Sequence, residues 1–262
     1  VNLEPLGPFF ETHVHDAGAT PSAPWRPMSE LVTDPAVLAG RVRTVREYLA
    51  AGGGQPPDAV APRVAASVTH LGLVARLVSP VLAVAVGDGA LLDVDLAATW
   101  WQSTIGGAFP LSVPAGAATV DPARLAELVA ARVLDGPVRT LGAAVRAGPV
   151  SGAAVPAGPV SGAAVRAGSV SDRVLWGNVA SAVHGAVSMI VSARSPWAER
   201  ATALAAALLD LPPLAGTGAV VDGRFRRRSC CLIYRAAPAA AGPVCGDCVL
   251  GPTRSRRAAA ET

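Results

Sequence analysis

Arg224-Phe225-Arg226-Arg227-Arg228-Ser229-Cys230-Cys231-Leu232-Ile233-Tyr234-Arg235, then a loop of Ala, Pro and Gly, then Val244-Cys245-Gly246-Asp247-Cys248-Val249-Leu250: the rest of the chain is read from this stretch. It holds every cysteine in the protein, Cys230, Cys231, Cys245 and Cys248. Four thiols within nineteen residues, with none elsewhere, point to one ligand set rather than scattered core cysteines. Charge concentrates in the same place. All 22 basic residues are Arg; residues 1–223 carry 14 of them against 17 acids, while residues 224–257 carry 8 against Asp247 alone.

The chain has 262 residues, enough for one large domain or two small ones. Its apolar fraction of 51% supplies a core, and much of it is Ala and Val, so it is not by itself a membrane signature. The longest apolar run, Leu71 to Gly87, is broken by Arg76 and Pro80 and falls short of the ~20 residues that a span needs. No membrane span is expected, though peripheral association is compatible with the sequence. The first residues, Val1-Asn2-Leu3-Glu4-Pro5, lack the basic-then-apolar order of a signal peptide, so the expected location is cytoplasmic. In that compartment clustered thiols are metal ligands or redox groups more often than structural disulfides.

Before the cysteine segment the chain reads as mostly helical. Residues 1–33 are Pro-rich and irregular, with Phe9, Phe10 and Trp25 as anchors. Asp34-Pro35 starts a helix that ends at Gly52-Gly53-Gly54. A second begins near Asp58 and carries an apolar stripe through Val64, Val68, Leu71, Val74 and Leu77, with a kink or restart expected at Pro80. Leu91 to Asp95, Thr99 to Ile105 and Phe109 to Val113 read as short strands. Asp121-Pro122 starts another helix, interrupted at Asp135-Gly136-Pro137; Ser171 and Ser195-Pro196 start two more. Residues 142–171 are three near-identical ten-residue units without large apolar side chains, best read as a low-complexity loop expansion. Ala219 to Val221 and Cys231 to Tyr234 read as extended. The fold class is therefore α+β and mainly helical, with a small central antiparallel sheet and a C-terminal cysteine-bearing segment. The expected organisation is an irregular N-terminal segment (1–33), a helical body with central strands (34–221), a cluster-binding segment (222–251) and a tail (252–262).

Cys245-Gly246-Asp247-Cys248 is half of a tetrahedral zinc site. The other half fits zinc less well. Cys230 and Cys231 are adjacent, and neighbouring side chains in extended chain face opposite ways, so bringing both to one small ion needs a local distortion. A two-iron cluster offers two metal centres and takes four thiolates. Zinc and a redox disulfide stay open on spacing alone. Arg226, Arg227, Arg228 and Arg235 stand close enough in sequence to favour a reduced, more anionic cluster, or to dock a partner. The Arg-rich run also reads as a solvated patch or a nucleic-acid contact, but it is short and accompanied only by Phe225 and Tyr234, so no nucleic acid is expected. His13 and His15 could ligate a metal yet lie in an irregular segment; His70 and His184 fall within helices. Gly52-Gly53-Gly54 follows a helix, the wrong context for a phosphate loop, and no flavin or nicotinamide site is evident.

These residues resemble the ferric iron (siderophore) reductases of the FhuF type found in actinobacteria. The resemblance rests on Cys230-Cys231 followed by Cys245-x-x-Cys248, supported by Leu175-Trp176-Gly177-Asn178-Val179-Ala180-Ser181, His70-Leu71-Gly72-Leu73 and Trp100-Trp101. It implies a [2Fe–2S] cluster on the four cysteines that passes one electron to siderophore-bound Fe(III), supplied by a ferredoxin or a flavoprotein reductase. Trp176 and Asn178, with Trp100 and Trp101, are the substrate candidates that it offers, although helix packing accounts for tryptophans equally well. Zinc-stapled binding through the Arg-rich face and Fe–S redox sensing are the alternatives. The chain departs from the family in the interval between its cysteine pairs: thirteen residues, Leu232 to Val244, about three more than is usual.

Overall fold

Residues 2–147, 169–193 and 195–251 are described by the structure, a computed structural model. The helices begin where capping chemistry puts them. After a short α1 (Glu30–Thr33), the Asp34 carboxylate accepts from the Ala36 N–H at 2.9 Å and Pro35 fills the first turn of α2 (Pro35–Gly52). α3 spans Pro62–Asp88. Asp121 repeats the cap on Ala123, again at 2.9 Å, ahead of α4 (Leu125–Val129). The backbone then breaks at Gly136, as the Asp135-Gly136-Pro137 interruption implied, and resumes as α5 (Arg139–Ala147). α6 (Asp172–Ser192) and α7 (Ala198–Asp210) complete the α-helices among the described residues. Apart from its ends, the decapeptide repeat lies outside the described residues.

α3 packs lengthwise on α6, and α2, α5 and α7 close around the pair. Leu73, Val74, Leu77, Val81 and Leu82 of α3 meet Leu175, Val179, Val183 and Ile190 of α6 in one apolar core. By length and composition alone both helices could cross a membrane; here 78% of the most apolar window of α3 and 56% of that of α6 are buried inside the protein. α3 runs on through Pro80 without the restart that the sequence allowed for. Burial on all sides outweighs the roughly 3 kcal/mol that proline costs inside a helix, and the Ser79 hydroxyl occupies the Ala75 carbonyl at 2.7 Å.

The sheet is small and central, but it draws on more of the chain than the sequence suggested. Its order is β1 (His13–His15), β5 (Leu111–Pro114), β4 (Trp100–Trp101), β2 (Arg26–Pro27). The pairs β4–β5 and β2–β4 are antiparallel, whereas β1 joins β5 in parallel with His13 opposite Ser112. The N-terminal segment is thus not wholly irregular. It is held by buried Arg76, whose guanidinium donates to the carbonyls of Phe109 at 2.7 Å, Phe9 at 3.0 Å and Glu11. Of the expected Leu91–Asp95 strand only β3 (Ala90–Leu91) forms, paired with β6 (Ala118–Thr119). Near the C-terminus, β7 (Gly218–Val221) and β8 (Arg224–Arg227) make a hairpin that rests on α6. Cys231 to Tyr234 is not extended: Ile233–Ala236 coils into a 3-10 turn.

Candidate metal centre

Alternation along β8 decides what each residue of Arg-Phe-Arg-Arg does. Phe225 and Arg227 face inward and are buried; Arg224 and Arg226 face the other way. Phe225 stacks flat on His184 of α6, ring centroids 4.0 Å apart and planes 3° from parallel. Arg227, 2% exposed, donates from Nη2 to Asn178 Oδ1 at 2.6 Å. Asn178 Nδ2 donates to the Ser67 carbonyl at 3.0 Å and lies 3.2 Å from its hydroxyl; the Ser67 hydroxyl donates to the Cys231 carbonyl at 2.9 Å. A buried polar chain therefore runs from β8 through α6 and α3 to the first cysteine pair. Gly177 makes the close approach possible: a Cβ there would overlap the Ser229 hydroxyl and lie 3.1 Å from Arg227 Nη2.

The adjacent cysteines receive the distortion that their spacing requires. Leu232, the residue after the pair, takes a left-handed conformation at φ 70°, uncommon for a side chain of its size and typical of strained functional sites. The chain reverses there, and the Leu232 N–H points at Cys230 Sγ, 3.3 Å away. Cys245 to Cys248 forms the second turn, closed by the Cys248 N–H on the Cys245 carbonyl at 3.1 Å; the Leu250 N–H points at Cys248 Sγ, also at 3.3 Å. The Arg227 N–H donates to the Asp247 carbonyl at 3.0 Å and so fastens this turn to β8.

The two turns link the thiols of Cys230, Cys231 and Cys245, with that of Cys248 near enough to act on Cys230 through its charge. Cys231 Sγ and Cys245 Sγ are 3.5 Å apart, and Cys230 hydrogen-bonds to Cys231. Bonds from Cys230 and Cys245, and more weakly the charge of Arg227, hold the Cys231 thiol far below its ordinary pKa despite burial. The same bonds, with burial, push Cys230 and Cys245 well up, and Asp247 adds to the effect on Cys245. Among the described residues no group of three or more His, Cys, Asp and Glu side chains closes tightly enough to hold a single ion. Cys231 bridges Cys230 and Cys245, and the thiols are not gathered about one point.

Residues 227–250 match the family model of the FhuF 2Fe-2S C-terminal domain. Over those residues the chain is similar to that domain. The match indicates a [2Fe–2S] cluster as the cofactor, and over residues 227–250 it bears out the FhuF resemblance drawn from the cysteine pattern. No match to the chain is found among curated proteins. The side chains of the FhuF segment fit that cofactor. The thiols of Cys230, Cys231 and Cys245 are linked, Cys248 shares the turn of Cys245, and backbone N–H groups are aimed at two of the sulfurs. Arg227 Nε and Nη1 and the Ser229 hydroxyl are buried without partners, donors of the kind that an anionic cluster satisfies.

The remaining candidates divide. Arg226 is half-buried over the second turn, its Nη1 within 3.1 Å of where a Gly251 Cβ would sit, while Arg228 and Arg235 are exposed. Trp101 is fully buried, donating from Nε1 to Glu30 at 3.1 Å and packing edge-on against Phe109; with Trp100 it belongs to the sheet. Asn178 holds Arg227 and does not face solvent. Trp176 lies under the Arg139 guanidinium, 5.0 Å from its ring, beside a 260 Å³ cavity that also reaches His70. His70 is buried and held neutral, its pKa lowered to about 3 by burial and then by Arg227. His13 and His15 serve β1: His15 Nδ1 is 2.8 Å from the Ser112 hydroxyl, and His13 meets Trp25 edge-on. Sequence reasoning passed over Ser67, Gly177 and Ser229. The period of two in β8 was the available signal, since it sets Arg227 apart from its neighbours.

Proposed function

We propose that this protein is a cytoplasmic ferric-siderophore reductase. When bound, the cluster supplies one electron to chelated Fe(III), which becomes Fe(II) and leaves because a divalent ion holds hard oxygen ligands less tightly. The electron comes from a low-potential donor of the ferredoxin or flavoprotein reductase class. Cys230, Cys231, Cys245 and Cys248 would hold the cluster. Arg227 places a fixed, buried positive charge beside the thiols, which favours the more negative, reduced form. The N–H groups of Leu232 and Leu250 act in the same direction. Burial of Cys231 and Cys248 keeps water from one side, while Cys230 and Cys245, partly exposed, leave an edge through which an electron can pass.

The run of linked thiols beside a buried, incompletely partnered arginine carries this reading. Anaerobically purified protein should contain about two iron and two sulfide per chain, the stoichiometry of a [2Fe–2S] centre, and give an EPR signal on reduction. Mixing the reduced protein with a ferric siderophore should re-oxidise it while an Fe(II) trap colours. A colourless protein with stoichiometric zinc, or a reduced cluster that ferric chelates leave untouched, would defeat the proposal.

A further inference from the structure

The geometry points to the groove between α6, α7, the β7–β8 hairpin and the Cys245–Cys248 turn as the place where the ferric chelate docks, an inference that rests on the reductase reading for the identity of the ligand. The groove encloses about 650 Å³, against 260 Å³ beside Trp176 and 340 Å³ in a cleft on the other face of the hairpin. Small-molecule sites span roughly 300–1,000 Å³, so a hexadentate chelate fits. Its floor is Gly246 and Asp247, the two residues between Cys245 and Cys248. A Cβ on Gly246 would meet nothing within 4 Å, so bare backbone faces open space there. A chelate resting on this floor is separated from a cluster ligand by a single residue.

The walls suit a chelate built of oxygen donors and alkyl spacers. α6 and α7 contribute the hydroxyl groups of Ser188, Ser192 and Thr202 beside Val191 and Ala206. His184 and its stacked partner Phe225 add a flat, uncharged face. Among the described residues the charged side chains lining the groove are Arg224 and Asp247, of opposite sign. The ligand class is thus a chelate of low net charge, such as a trivalent metal neutralised by three singly charged bidentate groups. The cleft across the hairpin differs: Arg224, Arg226 and Arg227 outnumber Asp222 in its lining beside Cys248, a net cationic setting unlike the groove.

Two exposed helical positions allow the groove to be filled without touching the core or the cysteines: Ser188→Trp and Ala206→Trp. The probe is a gallium(III) trihydroxamate, which has the shape of the ferric chelate but cannot be reduced. Holoprotein should bind it, and each tryptophan variant should bind at least tenfold more weakly, with cluster content and visible spectrum unchanged. Reduction of the ferric trihydroxamate should fall tenfold or more through KM. Val221→Trp, exposed on the cleft side, should bind as the wild type does. Wild-type affinity in both groove variants, loss of binding in Val221→Trp alone, or no binding by the wild type overturns the groove. Gallium binding lost in the groove variants, in a protein that never reduces the ferric form, overturns the reductase reading and leaves the groove standing.

Discussion

The α3–α6 pair and the cysteine segment sit against each other and are held by opposite means. Along the helices, Leu77, Val81, Val183 and Ile190 are sealed in a continuous apolar core, and stability follows from area removed from water. In the segment, residues 227–251 contribute Cys231, Ala236 and Cys248 as buried apolar groups, and its attachments are directional. Ser67 reaches the Cys231 carbonyl, Asn178 the Arg227 side chain, Arg173 the Arg228 carbonyl at 2.8 Å, and Gln55 the Ala236 carbonyl. The helical body can stand without a cofactor. The segment, with donors left over beside its thiols, is complete only when an anion sits among them.

The comparison breaks most sharply at the cysteines. Cys245→Ser should abolish visible absorption and iron content while the far-UV CD of the helices stays as in the wild type, and limited proteolysis should then cut within 232–250 before anywhere in the body. A parallel loss of helix would mean that the two regions are not separable. Leu77→Ala, fully buried in α3, should act the other way, lowering urea stability by about 2–5 kcal/mol with the cluster spectrum intact below the transition. Asn178→Ala tests the seam between the two. It strips from the buried Arg227 side chain its one hydrogen-bond partner among the described residues and should cost about 2–3 kcal/mol, with iron lost to a chelator several times faster.

Smaller effects sharpen the comparison. Arg227→Gln should lower the reduction potential by on the order of 50–100 mV, from a unit charge acting through a protein interior, and a conservative Lys should restore part of it; the exposed Arg228 and Arg235 should matter far less. His70 gives the pH dependence. Its pKa is about 3 in the fold and near 6.5 when unfolded, so the unfolded chain binds the extra proton first. Its contribution is fully present above pH 6.5 and declines as the pH falls toward 3, by about 1.4 kcal/mol per unit. Denaturant midpoints of the wild type and His70→Gln between pH 7 and 5 should therefore converge as the pH drops.

Most of what was legible in the sequence was local. Asp34-Pro35 and Asp121-Pro122 announce helix starts because the cap and the capped N–H lie two residues apart. The four cysteines announced a cofactor because their chemistry leaves few other uses. What escaped depends on contacts distant in the chain. β1 pairs with β5 about a hundred residues away, held by Arg76, a residue that reads in sequence only as a break in an apolar run. Pro80 reads as a restart until the burial around it is known. Arg227 is one of four equivalent arginines by composition and one of a kind by position, because β8 turns it toward Asn178.

The thirteen residues between the cysteine pairs carry a consequence for recognising such proteins. Two compact turns, at Ile233–Ala236 and Pro238–Ala240, take up the length; Gly242 bonds back to Tyr234 at 3.1 Å, and Gln55 at the end of α2 pins the loop. The interval along the chain is thus uncoupled from the distance between the sulfurs. A signature that fixes that interval passes over chains in which the loop has grown, whereas one that lets it float, and asks instead for an asparagine on a facing helix and an arginine three residues before the first cysteine, keeps them.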